Sequence, residues 1–167
     1  MGSGVGLSQI SDVKLPIFAA PEGLLTGSSR SVSTSPRGGL WTAVGNGISY
    51  FDGQTVLNLT TTNGLVNSYA KRTMEARNGE LYLIYGSRDL QILNGTQTVA
   101  QINQENMPVS MAEDNRSALV SIGSEIYRVI DHKLVPYAYK GGVAPSFYWI
   151  VNLFVSQDNS IWVSSAN

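Results

Sequence analysis

The chain repeats itself about every forty residues, and no other feature limits its fold so strongly. The segments GLWTAV (39–44), ELYLIY (80–85), ALVSIG (118–123) and SIWVSS (160–165) superpose, with anchors Leu40, Leu81, Leu119 and Ile161 spaced 41, 38 and 42 positions apart. Each anchor follows a polar turn: SPRGG, ARNGE, EDNRSA or SQDNS. The first three are followed about ten residues on by a second turn, FDGQ, LNGT or IDHK. Asp-Gly and Asn-Gly are strong hairpin signals because both central residues of the turn need positive φ. A fixed period of this length marks units that cannot bury their apolar faces alone and must stack on one another.

One unit reads as four short strands, SVSTS, GLWTAVG, GISYFDG and TVLNLTT, each alternating or briefly apolar. Four antiparallel strands in about forty residues make a propeller blade. The expected fold is therefore all-β, a β-propeller of four four-stranded antiparallel blades within one domain, with repeats at about 27–66, 67–108 and 109–146. The fourth repeat is split between 147–167 and 5–26. Segment 6–25 overlays 47–66 at a constant offset of 41, setting Leu7 on Ile48, Ile10 on Phe51, Leu15 on Val56 and Gly23 on Gly64. The N-terminal stretch thus supplies two outer strands and residues 149–165 two inner ones. Pairing them removes an exposed sheet edge, which is otherwise an aggregation hazard. Pairing within one chain gives a four-blade ring, and pairing between two copies gives an eight-blade ring. The innermost strands mix small residues (SVSTS, SMA, Ala76) with Met74, Glu75, Leu153 and Phe154. Blades shaped for wider rings resist fourfold closure, so the homodimer is the favoured expectation.

At this point the residues resemble a known family, the two-component regulator propeller repeat of bacterial sensor proteins. EGLLTGSSRSVSTSPRGGLWTAVGNGISYFDG (22–53) and NGLVNSYAKRTMEARNGELYLIYGSRDLQILNG (63–95) carry its Gly-Leu entry, polar turn, Leu-Trp-like strand and closing Asp-Gly or Asn-Gly. GGVAPSFYWIVNLFVSQDNSIWVSS (141–165) resembles its first half. The unit from Val109 to Ala138 departs from it, lacking the Gly-Leu entry and placing Leu119-Val120 where Leu-Trp is expected. The resemblance implies a sensing region, periplasmic or extracellular, of a larger membrane-anchored signalling protein whose output module lies elsewhere.

Charge narrows the partners. Eleven basic residues face twelve acidic ones, and 14% of positions are charged, so no broad attraction to nucleic acid or anionic membrane is expected. The chain has no cysteine, hence no disulfide or thiolate metal site, and no apolar run approaches the length of a membrane span. MGSGVG lacks both the basic start and the apolar stretch of a signal peptide. Catalytic and metal sites are not expected, nor is a cofactor. His132, the single histidine, lies in the IDHK turn, and Asp114, Gln157 and Asp158 lie in turns without calcium-loop spacing. Binding is the better expectation. The loops entering the innermost strands carry Arg30, Tyr69, Lys71, Arg72, Tyr148 and Trp149, flat rings beside fixed positive donors that suit a carbohydrate or small organic anion. Trp41 and Trp162 share a repeat position with Tyr82 and are expected in the core. The leading reading is a non-catalytic sensory module. An assembly module without a small ligand is the alternative, with a propeller lyase or glycosidase behind it.

Overall fold

The computed structural model describes residues 2–3, 6–8, 17–142 and 145–166. Ile10, Leu15 and Ala144, which entered the sequence comparison, lie outside them. The chain begins with β1 (Gly2–Ser3), β2 (Gly6–Ser8) and β3 (Ile17–Ala19), paired in that order, and a 3-10 turn at Ala20–Glu22. Three four-stranded antiparallel sheets follow. Blade I is β4 (Ser31–Thr34), β5 (Leu40–Val44), β6 (Gly47–Phe51) and β7 (Val56–Leu59). Blade II is β8 (Ala70–Glu75), β9 (Glu80–Tyr85), β10 (Asp89–Asn94) and β11 (Gln97–Asn103). Blade III is β12 (Pro108–Glu113), β13 (Ala118–Ile122), β14 (Glu125–Ile130) and β15 (Lys133–Pro136). The chain finishes on a two-stranded sheet, β16 (Trp149–Val155) and β17 (Ile161–Ala166).

Blades bury their faces against one another. Trp41, Ala43 and Ile48 of blade I pack on Leu81, Leu83 and Tyr85 of blade II. Tyr82, Ile84 and Ile92 of blade II pack on Ala118, Val120 and Ile122 of blade III. Leu119 and Ile126 pack on Ile150 and Leu153 of the last sheet. Because side chains alternate across a strand, each blade divides its apolar residues between a face toward the preceding blade and a face toward the following one. The Gly-Leu repeat motif pins the connections between blades. Asn58 donates to the Gly23 carbonyl (2.8 Å) and Gln91 to the Gly64 carbonyl (2.7 Å), 41 residues apart, while Leu24 and Leu65 insert into the core. Glycine is required at position 64: φ is +144°, and a Cβ there would sit 2.7 Å from the Thr96 carbonyl oxygen.

The N-terminal sheet repeats blade I in register. Leu7 pairs Phe18 as Ile48 pairs Leu59, each offset by 41. Gly2 pairs Leu7 as Ala43 pairs Ile48, so β1 occupies two positions of a second strand.

One expectation requires correction. The strand pairs flanking the first turn are Thr34 with Leu40, Glu75 with Leu81, Glu113 with Ala118 and Val155 with Ile161. The third anchor is therefore Ala118 rather than Leu119, and the spacings are 41, 37 and 43. The cause is a turn one residue shorter in blade III, closed by Asp114, whose carboxylate accepts from the Arg116 and Ser117 amides at 2.9 and 3.0 Å. A one-residue shift exchanges the faces of a strand. Leu119, not Val120, therefore stands where Trp41 and Tyr82 stand. Among the described residues, β1–β3 and β16–β17 form separate sheets with no pairing between them. Met74 and Met111, carried on innermost strands, pack in the layer between blades II and III.

Candidate functional site

Three innermost strands begin with the same irregularity. The register shifts between Ala70 and Arg72 in β8, Pro108 and Ser110 in β12, and Ile150 and Asn152 in β16. A bulge inserts one unpaired residue and re-aims its neighbours. In β8 the extra residue is Lys71, whose side chain is left exposed, and Arg72 is turned toward the neighbouring blades. Arg72 Nε donates to the Val109 carbonyl at 2.8 Å, and its Nη2 donates to Asn152 Oδ1 at 3.0 Å. One guanidinium thus ties together the bulged ends of three sheets, and its remaining N–H groups are uncommitted among these contacts.

Around this strut lies a cavity of about 470 Å³. Arg30, Lys71, Arg72, Trp149, Met107 and Pro108 line it, with no acidic side chain in the lining. The Arg30 guanidinium stacks on the Tyr69 ring, 3.6 Å from its centroid, which holds its fork in a fixed orientation. Gly86 makes room for this pair: a Cβ there would approach Tyr69 Cδ1 at 3.3 Å and Lys71 Cε at 3.4 Å. Three cations over a partly apolar floor match a small anion carrying a carbon skeleton.

The fold therefore brings Arg30, Lys71, Arg72 and Trp149 to one cavity and sets Tyr69 beneath Arg30. Tyr148 is not among the lining residues and points largely to solvent. Sequence reasoning missed Asn152, the anchor of Arg72, because the bulge that exposes it leaves no mark in the alternation of β16. Met107 and Pro108 belong to the NQENMP loop, and their placement at this cavity follows from it.

The polar residues of the turns connect blades instead of forming a reaction centre. His132 Nε2 lies 2.6 Å from Glu80 Oε1, joining the outer turn of blade III to blade II. Burial pushes the Glu80 carboxyl up, yet hydrogen bonds from His132, Asn78 and Tyr82 outweigh it and hold it below its ordinary range. Asp114 is buried and receives Arg128 through both oxygens at 2.7 and 2.5 Å, which drives its pKa far down despite burial. Glu75, also buried, receives Arg37 Nε at 2.5 Å and Trp41 Nε1 at 2.6 Å. Trp41 is in the core as expected, but Trp162 is not, its ring lying mostly in solvent.

No family model matches the sequence, nor does any curated protein. Solved structures do. One, described as the extracellular domain of the hybrid two-component system BT3049 of B. thetaiotaomicron, superposes with a TM-score of 0.68 at 16% identity over 98% of this chain and 24% of that one. A second, the extracellular domain of BT4673 of the same organism, described as a one-component system, gives 0.70 at 16% identity with the same coverages. The fold is all-β, a row of antiparallel sheets consistent with part of a propeller. The chain spans about a quarter of the length of these two structures. Among the described residues of the segment, no helix is long and apolar enough to cross a membrane.

Proposed function

We propose that this propeller segment is a non-catalytic sensing module of an extracytoplasmic signalling protein, and that the cavity at Arg30, Lys71, Arg72 and Trp149 binds a small organic anion, with an acidic sugar the best fit. The observation that carries the reading is the convergence of three cations from two blades on one lining that has no acidic member. Its likeness to extracellular domains of bacterial signalling systems supports the sensory role. A ligand here touches innermost strands of successive blades, so its binding energy can bias their relative positions. Differential affinity for two arrangements is what a sensor needs.

Catalysis has less support. The carboxylates of Glu75 and Asp114 are engaged with arginines, and His132 is paired with Glu80. None of these three is in the lining of the cationic cavity.

A thermal-shift panel of uronic acids, sulfated sugars, di- and tricarboxylates and their neutral counterparts tests the proposal. A ligand at a hundred times its Kd stabilises by about 2.7 kcal/mol, which for a domain of this size raises Tm by roughly 5–10 °C. The shift should be confined to anions, weaken with salt and vanish in Arg30→Ala/Lys71→Ala. Equal shifts with neutral sugars, or an unchanged shift in the double variant, would refute it.

A further inference from the structure

Arg72 stands at a position where a hydroxyl suffices to join blades. Register sets Ser31, Arg72, Ser110 and Asn152 at one blade position, opposite Ala43, Ile84, Ser121 and Ser164. Two of the four are serines that hold the next sheet. Ser31 Oγ accepts the Thr73 backbone N–H at 3.4 Å, and Ser110 Oγ accepts that of Leu153 at 3.0 Å. Between blades II and III the bond runs the other way, from Arg72 Nε to the Val109 carbonyl. Joining neighbouring blades at this position therefore needs neither a charge nor a long side chain, and a guanidinium here has a second reason to be present.

Its partners show what that reason is. Arg37, Arg77 and Arg128 pair with the carboxylates of Glu75, Glu113 and Asp114 in turn. Among the described residues Arg72 bonds only neutral acceptors, the Val109 carbonyl and Asn152 Oδ1. Two such bonds on different nitrogens fix the plane of the guanidinium without cancelling its charge. A guanidinium has five N–H donors, so three remain, among them both on Nη1. The other two cations of the cavity are held less firmly. Lys71 is a point charge on a flexible stem, and Arg30 rests on the Tyr69 ring.

We infer that Arg72 is the residue that receives the ligand's carboxylate through a bidentate pair, and that Asn152 is its positioning residue. The inference rests on the anion-binding reading of this cavity. A bidentate guanidinium–carboxylate pair requires the planes of both groups to be set, which a lysine ammonium does not. Here the plane is set from two sheets other than the arginine's own, by Val109 of blade III and Asn152 of the last sheet. Arg30 and Lys71 add attraction, and Arg72 adds orientation.

The test is isothermal titration of glucuronate into the full chain and two variants, with Tm measured on each protein without ligand. Arg72→Lys keeps the charge and loses the fork, so affinity should fall at least about tenfold. Asn152→Asp keeps the size of the side chain and gives Arg72 an internal carboxylate. Affinity should again fall at least about tenfold, with a weaker dependence on salt, while Tm holds or rises. A role for Asn152 in stability alone predicts the opposite pattern, a lower Tm with affinity unchanged. Asn152 is exposed, so this variant remains informative even if Arg72→Lys does not fold. Unchanged affinity in both folded variants, with binding still abolished in Arg30→Ala/Lys71→Ala, would overturn the assignment and leave the anion site standing. Loss in Arg72→Lys only would overturn the role of Asn152, and loss in Asn152→Asp only would overturn the need for a fork. A parent protein that does not bind glucuronate would overturn the inference together with the reading beneath it.

Discussion

Removing the Glu75 carboxylate tests how the blades are joined. Trp41 donates its indole N–H to Glu75 across the blade I–II interface, and both residues are buried. Glu75→Ala leaves that N–H without an acceptor, a desolvation cost of about 1–3 kcal/mol. Loss of the Arg37 pair adds less than about 1 kcal/mol, because the arginine is largely exposed and screened. The sum is about 1–4 kcal/mol, equivalent to a fall in Tm of roughly 2–16 °C for a domain of this size. The loss should depend on pH. Burial raises the Glu75 pKa, but hydrogen bonds from Arg37, Trp41 and Ser35 lower it more, so it lies below its ordinary value. The unfolded chain then binds the proton more readily. The stabilisation is complete above the unfolded pKa of about 4.3 and is lost as pH falls through the lower folded value. Differential scanning calorimetry from pH 3 to 8 reads both effects. Glu75→Leu combined with Trp41→Phe removes both partners of the buried indole–carboxylate bond, leaves only the Ser35 hydroxyl short of an acceptor, and should recover part of the loss. If Glu75→Ala shifts Tm by less than about 2 °C at pH 7, or if the double variant is worse than the single, the reasoning is wrong.

Asp114→Asn should cost about 3 kcal/mol by stranding the half-buried Arg128 guanidinium, and the gap from the parent protein in a Tm titration should narrow only in strong acid. His132→Ala breaks a partly exposed contact between blades and should lower Tm by only about 1–3 °C at neutral pH. Gly64→Ala should destabilise by at least about 2 kcal/mol, since its Cβ meets a backbone oxygen. Gly79→Ala, at φ +85° in open space, should cost about 1 kcal/mol in chemical denaturation.

The repeat, its four strands and the offset of 41 between the N-terminal segment and blade I were legible because hairpin turns and period-two alternation are local signals. The parity of blade III was not. Its turn lost one residue at Asp114–Ser117, and similarity of ALVSIG to GLWTAV favoured the wrong anchor by one position. The cavity was partly legible: basic and aromatic residues in corresponding loops pointed to Arg30, Lys71, Arg72 and Trp149. Its organisation around the Val109 and Asn152 contacts of Arg72 depends on bulges, which are set by pairing between strands. Trp162 had the pattern of a core residue and a solvent-exposed ring, because the pattern reports what the position packs against when a following blade is present.

Isothermal titration of glucuronate against glucose tests the cationic cavity most directly. The acid alone should bind, and Arg30→Ala/Lys71→Ala should abolish that binding while leaving the fold intact by circular dichroism. Equal binding of the neutral sugar, or unchanged binding of the acid in the folded double variant, would contradict the account.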